Sequence, residues 1–178
     1  MSDHNLILAI DPGTERSAWV LYDRDSDRPV AFDIVGNANL VTMLDYKSNA
    51  CVLSKIARDH WHRTDDATLV IEMVACYGMP VGAQTFETCV WIGRFIQAWL
   101  PKEADRVFRK DVKLHLCGSA RAKDANVRQA LIDKFGPGKS KAIGLKKTPG
   151  PLYGIKSHLW AALAVAVTFT ETNECNTT

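Results

Sequence analysis

No apolar run in this 178-residue chain reaches the roughly 18 residues a membrane-crossing helix needs, which argues against a spanning segment. The first residues, Met1 to Asn5, are polar and lead directly into a strand-like run, so no signal peptide is legible and a cytoplasmic setting is expected. Cysteines are few, odd in number and scattered at Cys51, Cys76, Cys89, Cys117 and Cys175, with no CxxC pair. That pattern excludes a disulfide framework and a zinc ribbon, and predicts reduced, mostly packed thiols. Nothing marks one of them as an activated nucleophile. Internal repeats are absent, and the net charge is only +2.

The charge that is present is unevenly spread. Between Lys102 and Lys156 about fourteen Lys and Arg face about five Asp and Glu, and the remainder is acidic. A basic segment beside an acidic one suits a polyanion-binding surface next to a cation site, or simply a solvated helix face with a loop.

Hydrophobic patterning predicts a single α/β domain. Asn5–Ile10 is a continuous apolar run that stops at the turn Asp11-Pro12-Gly13; Ser17–Tyr22 and Val30–Val35 follow as strands. Leu40–Trp61 reads as helical, and Thr68–Glu72 as a buried strand. Thr85–Leu100 is an amphipathic helix carrying Phe86, Val90, Phe95 and Ile96 and ended by Pro101. Arg106–Phe108 is a short strand, Asp111–Leu116 a helix, and Asp124–Phe135 a helix ended by Gly136-Pro137-Gly138. Residues 136–154, with five Gly, three Pro and four Lys, read as a flexible basic loop. Ser157–Thr170 is a closing apolar helix, with a disordered tail expected over about 172–178. Three antiparallel strands followed by strands alternating with helices imply a five-stranded mixed sheet flanked by helices on both faces.

Two acids stand out against this apolar background. Asp11 ends the first strand, where a carboxylate can lean over the sheet edge; alone, Asp-Pro-Gly is equally well a self-capping turn. Glu72 ends the apolar TLVIE, and a buried carboxylate is costly unless paired or metal-bound. If the strands are neighbours, both acids project from one sheet end as an oxygen-rich site suited to Mg²⁺ or Mn²⁺. A salt bridge from Glu72 to Arg16 or Lys113 is the competing use. His158, at the start of the last helix, is a capping residue or a third ligand or base. Lys113, Arg121, Lys123 and Arg128 form one basic group that can track phosphates. Lys139, Lys141, Lys146 and Lys147 form a second, in the Gly/Pro loop. Among the aromatics, Trp91 and Trp99 suit packing, Tyr153 can stack on a base, and Tyr77, just beyond Glu72, suits a base wedge.

Taken in order, LAIDPGTERSAWVLYD, LVIEM, DVKLHLCGSARAKDANVRQALIDKFG and SHLWAALAVAVTF resemble the blocks of RuvC-type Holliday junction resolvases, in particular shorter bacteriophage proteins of that kind. The resemblance runs from Leu6 to about Phe169 and implies an RNase H-like fold. It implies that Asp11, Glu72 and His158 are metal ligands, with two Mg²⁺ or Mn²⁺ ions per site. It implies that Lys113 and Lys123 contact the backbone near the cut, that branched DNA is the substrate, and that the protein is a homodimer. The amphipathic helix, with Gly93 permitting close approach, is the interface expected for it.

One position departs from that pattern. Three residues after the His158 position the family carries Asp, and this chain carries Ala161. A native site of Asp11, Glu72 and His158, helped by Glu15, a replaced Asp, and a protein that binds junctions without cutting them all remain open. An RNase H-like nuclease acting on RNA is a further alternative, separated by whether RNA or a junction is cut. An actin-like phosphotransferase is disfavoured because no second phosphate-binding hairpin is visible.

Overall fold

The computed structural model of the chain describes residues 6–45, 67–76 and 78–175. Five strands form one sheet in the order β3-β2-β1-β4-β5: β1 (Leu6–Asp11), β2 (Arg16–Asp23), β3 (Arg28–Gly36), β4 (Thr68–Met73) and β5 (Ala104–Phe108). β1, β2 and β3 are antiparallel neighbours, while β4 runs parallel to β1 and β5 parallel to β4. The mixed sheet expected from the sequence is therefore present.

The central strands are apolar throughout because both faces are covered. Ile7 and Ala9 of β1, Ala18, Val20 and Tyr22 of β2, and Val70 of β4 face one core. Their alternates, Leu8, Ile10, Trp19, Leu21, Leu69 and Ile71, face the other. Each such aliphatic side chain contributes about 1.5–3 kcal/mol on burial, so a two-sided sheet needs helices on both faces. The first core is closed by α3 (Arg109–Cys117), α4 (Asp124–Phe135), α5 (Lys139–Ala142) and α6 (Leu159–Cys175). The second is closed by α1 (Asn37–Leu44) and α2 (Ala83–Trp99).

Several elements differ from expectation. α2 buries Thr88, Ile92, Phe95 and Trp99, one stripe at steps of four and three. Phe86 and Val90, expected on that stripe, lie about half a turn away and are each 62% exposed. Cys76 and Cys89 are exposed rather than packed, and Cys117 is half-buried. Of the helix expected over Leu40–Trp61, Asn37–Leu44 is helical and the part beyond Asp45 lies outside the described residues.

The segment expected to be a loop carries α5 and a small antiparallel ribbon, β6 (Gly144–Leu145) with β7 (Thr148–Pro149). It is anchored by buried Ala142, Leu152 and Ile155, and by backbone bonds from Gly150 N to Ile143 O at 2.9 Å and Leu152 N to Ala142 O at 2.8 Å. Gly144, at φ +70°, has no room for a side chain: a Cβ would sit 2.3 Å from the Thr148 carbonyl oxygen. The last helix begins at Leu159 because Ser157 takes a left-handed φ of 48°, and it extends to Cys175, past the expected start of a tail.

Candidate active site

The parallel pairing of β1 with β4 registers Ile10 beside Ile71, so the next residues, Asp11 and Glu72, leave the same end of adjacent strands. Their strands are central, which buries both acids: the Asp11 side chain is 14% exposed and that of Glu72 9%.

The turn after Asp11 does not use its carboxylate. Gly13 N donates to Ser17 Oγ at 3.2 Å, Asn37 Nδ2 donates to the Gly13 carbonyl at 2.9 Å, and Ser17 Oγ donates to Asn37 Oδ1 at 2.7 Å. A Cβ on Gly13 would lie 2.3 Å from the Arg16 carbonyl oxygen, so the chain can pass there only as glycine. With the turn held by Ser17 and the buried Asn37, the Asp11 carboxylate is left to the site. Its partner is His158, whose Nδ1 lies 3.2 Å from Asp11 Oδ2. His158 also caps α6: its carbonyl accepts from Ala161 N at 3.0 Å and Ala162 N at 3.2 Å. His158 thus caps the helix by its backbone while its side chain meets Asp11.

Neither Arg16 nor Lys113 pairs with Glu72. Arg16 donates to the Ile34 carbonyl at 2.6 Å, and Lys113 Nζ lies 3.4 Å from Asp124 Oδ1. The Glu72 partner is Arg109, whose NH1 donates to Oε1 at 2.9 Å and to Oε2 at 3.2 Å. Arg109 NH2 reaches Asp124 Oδ1 at 2.9 Å, so one guanidinium bridges a buried and an exposed carboxylate. The local fold explains it. Val107 of β5 registers beside Glu72, Arg109 opens α3 two residues later, and Lys113 follows one turn on along the same helix face. Neither Arg109 nor Asp124 was marked by the sequence; the only available signal was an Arg directly after the short strand expected at Arg106–Phe108.

Burial, then the charge of Glu72, pushes the Asp11 carboxyl up to about 7, with His158 and Arg109 pulling against them. Burial works against charge on Arg109 too, but Glu72 and Asp124 raise its pKa above the ordinary value. Burial likewise opposes the charge on Asp124, yet Arg109 and Lys113 hold it below the usual carboxylate range. Glu72, Arg109, Lys113, Asp124, His158 and Ala161 line a cavity of about 220 Å³.

Among the described residues no three His, Cys, Asp or Glu side chains are grouped so as to hold a metal ion as they stand. The donor chemistry nevertheless fits a hard divalent cation. The charges of two neighbouring carboxylates repel one another at Asp11, and an imidazole stands beside it, a donor set to which such a cation is suited.

The expected phosphate-tracking residues Arg121, Lys123 and Arg128 are exposed, and the Arg128 guanidinium carbon stacks 4.8 Å from the Trp160 ring centroid. Lys139, Lys141, Lys146 and Lys147 are exposed on α5 and the ribbon turn. Tyr153 is 41% exposed, and Glu15 is exposed. Trp99 is buried, as its packing role requires, and Trp91 stacks on Phe95 at 6.2 Å. Tyr77 lies outside the described residues.

Neither a family model nor a curated protein matches the sequence. Among solved structures, the chain is similar to Thermus thermophilus RuvC in complex with Holliday junction substrate: 19% identity, 98% of each chain covered, TM-score 0.62. It is similar also to a second Thermus thermophilus RuvC structure at 19% identity, covering 95% of this chain and 96% of that one, TM-score 0.58. Over nearly its whole length, therefore, this chain has the RuvC fold, an RNase H-like mixed sheet.

Proposed function

We propose that this chain is a structure-selective endodeoxyribonuclease that resolves four-way DNA junctions, and other branched DNA, by divalent-metal-dependent phosphodiester hydrolysis. The observation that carries the reading is the pairing of Asp11 and Glu72 at adjacent strand ends, with His158 against Asp11, in the fold of a protein solved with a Holliday junction substrate. Asp11, Glu72 and His158 are the residues that would hold Mg²⁺ or Mn²⁺. A cation bound there supplies water activation and charge neutralisation at phosphorus.

The remaining residues position the substrate. Lys113 lines the cavity, and Lys123, Arg121 and Arg128 surround the start of α4, whose amide groups also favour phosphate. Lys146 and Lys147 at the ribbon turn add a second set of phosphate contacts, and Tyr77 remains the candidate base wedge. Recognition is then of branched shape through backbone contacts. Two symmetric cuts suit a two-fold homodimer, and the exposed Phe86 and Val90 on α2, with Gly93 open to solvent, supply an apolar stripe for its interface. No described helix is long and apolar enough to cross a membrane, and the reading places the protein in the cytoplasm, working as one domain.

The test is cleavage of a synthetic four-way junction in Mg²⁺ and in Mn²⁺ by the parent protein and by Asp11→Asn. Metal-dependent cutting lost in the variant supports the reading; equal cutting by both removes the site assignment. A second reading, a junction binder that does not cut, is favoured by one observation: Ala161, at the position where the resembled family carries Asp, lines the cavity together with Glu72 and His158. Tight junction binding without cleavage in Mn²⁺, and no gain from Ala161→Asp, would establish that alternative.

A further inference from the structure

We infer that Arg109 is a phosphodiester-binding residue of this site, parked on Glu72 and Asp124 until DNA takes its guanidinium and leaves Glu72 free for a divalent cation. The inference rests on the nuclease reading of the site, but it concerns a residue that reading does not use.

The geometry is that of an occupied donor with capacity to spare. NH1 covers both oxygens of Glu72, at 2.9 and 3.2 Å, and NH2 takes one oxygen of Asp124 at 2.9 Å. A guanidinium carries five N–H groups in a planar fork, so Nε and the second NH2 hydrogen remain for another acceptor. The Arg109 side chain is 43% exposed and the Glu72 side chain 9%, so Arg109 is the solvent-facing member of the pair. Asp124, at 70%, is the outer anchor. The guanidinium thus spans from the buried carboxylate to the cavity rim, and Lys113 stands one turn along beside the same anchor.

Two ligands compete for the ends of this bridge. A divalent cation on Glu72 needs the oxygens that NH1 now covers, and would lie within a few ångströms of a like charge. A phosphodiester offers the guanidinium a forked pair of oxygens in place of the carboxylate's. DNA at the cavity draws Arg109 outward, and the Glu72 carboxylate, left buried and unpaired, gains affinity for the cation. Linkage makes the effect reciprocal: whatever factor DNA adds to cation affinity, the cation adds to DNA affinity.

The test uses the full-length protein and reads no cleavage. Mn²⁺ binding without DNA is titrated by the electron paramagnetic resonance signal of the free ion, for the parent, Arg109→Gln and Arg109→Lys. Four-way-junction binding in EDTA is measured in parallel by fluorescence anisotropy, with circular dichroism to verify folding. The expected result is Mn²⁺ binding about tenfold tighter in Arg109→Gln, with junction binding about tenfold weaker. Arg109→Lys, whose compact ammonium cannot cover both carboxylates, is expected in between on Mn²⁺ and near the parent on DNA. Unchanged or weaker Mn²⁺ binding in both folded variants overturns the inference, as does unchanged junction binding in Arg109→Gln. Failure of the parent to cut junctions would count against the nuclease reading and leave these two titrations interpretable.

Discussion

His158 Nδ1 lies 3.2 Å from Asp11 Oδ2, a contact that ties the start of the last helix to the end of the first strand across 147 positions of sequence. It brings an imidazole to the one acid of the site whose charge is least well compensated. Glu72 has Arg109 at 2.9 Å, whereas for Asp11 burial and the charge of Glu72 outweigh the pull of His158 and the more remote Arg109, and its pKa is raised.

That imbalance predicts a pH dependence of the metal-free protein. The Asp11 carboxyl titrates at about 7 when folded, against an ordinary value of 3.8. Between these values the native chain keeps a proton that the unfolded chain has released, so stability falls as pH rises through that window and is flat above it. Asp11→Asn removes the effect. In EDTA, urea unfolding should find the variant about 4 kcal/mol more stable than the parent at pH 8 and nearly equal to it at pH 4. Equal stability at pH 8 would mean that Asp11 is not burdened by its neighbours.

An imidazole ligand is less welcome to Mg²⁺ than to Mn²⁺. Junction cleavage should therefore proceed at least as fast in Mn²⁺ as in Mg²⁺, and His158→Asp should shift the preference toward Mg²⁺. A strong Mg²⁺ preference in the parent protein would argue that His158 acts through its capping carbonyl and not as a ligand.

Lys146 and Lys147 are exposed at the turn of a pinned ribbon, where they can meet phosphates without the ordering cost of a loose loop. Replacing both with Gln should weaken junction binding and flatten its dependence on the logarithm of salt concentration by roughly two. Binding curves at several salt concentrations would show this, and an unchanged slope would remove the ribbon from the DNA interface.

On α2, Phe86 and Val90 are exposed on the face opposite the buried stripe. Phe86→Asp should convert a dimer to a monomer in sedimentation velocity while changing monomer stability by no more than about 0.5 kcal/mol. A parent protein that sediments as a monomer at micromolar concentration would rule this face out as a self-association surface.

Asn37 is buried at 1% exposure and holds both the Gly13 carbonyl and Ser17 Oγ. Asn37→Ala takes the acceptor from the buried Ser17 hydroxyl and the donor from the half-buried Gly13 carbonyl, and should cost about 2 kcal/mol in urea unfolding. Junction cleavage should also drop, because the turn that frees Asp11 loses its strut. Full activity together with full stability would show that Ser17 alone holds the turn.

Strand positions and the two acids at their ends were legible in the sequence, and the reason is physical. A central strand buried on both faces is apolar at every position, so a carboxylate ending such a run stands out whatever the rest of the chain does. LILAI before Asp11 and TLVI before Glu72 carry that information within six residues each. The phase of α2 was not legible: Phe86 and Val90 are as hydrophobic as Ile92 and Phe95, and only the packed stripe tells which face the core takes. The basic segment after Gly136 looked like a loop because its Gly and Pro residues signal turns. The carbonyls those glycines approach, which make a ribbon of it, belong to tertiary contact.

By itself, then, the chain's sequence determined where the strands lie along the chain, that the sheet is covered on both faces, and that Asp11 and Glu72 end buried strands, all consequences of local periodicity and burial; that those strands are neighbours came from the fold. Tertiary structure alone decided which cation faces which carboxylate. Glu72 and Arg109 are 37 positions apart, and neither composition nor spacing distinguishes Arg109 from Arg16 or Lys113 as its partner. The pairing arises because β5 lies beside β4 in parallel register and α3 begins where β5 ends, which delivers a guanidinium to the sheet edge.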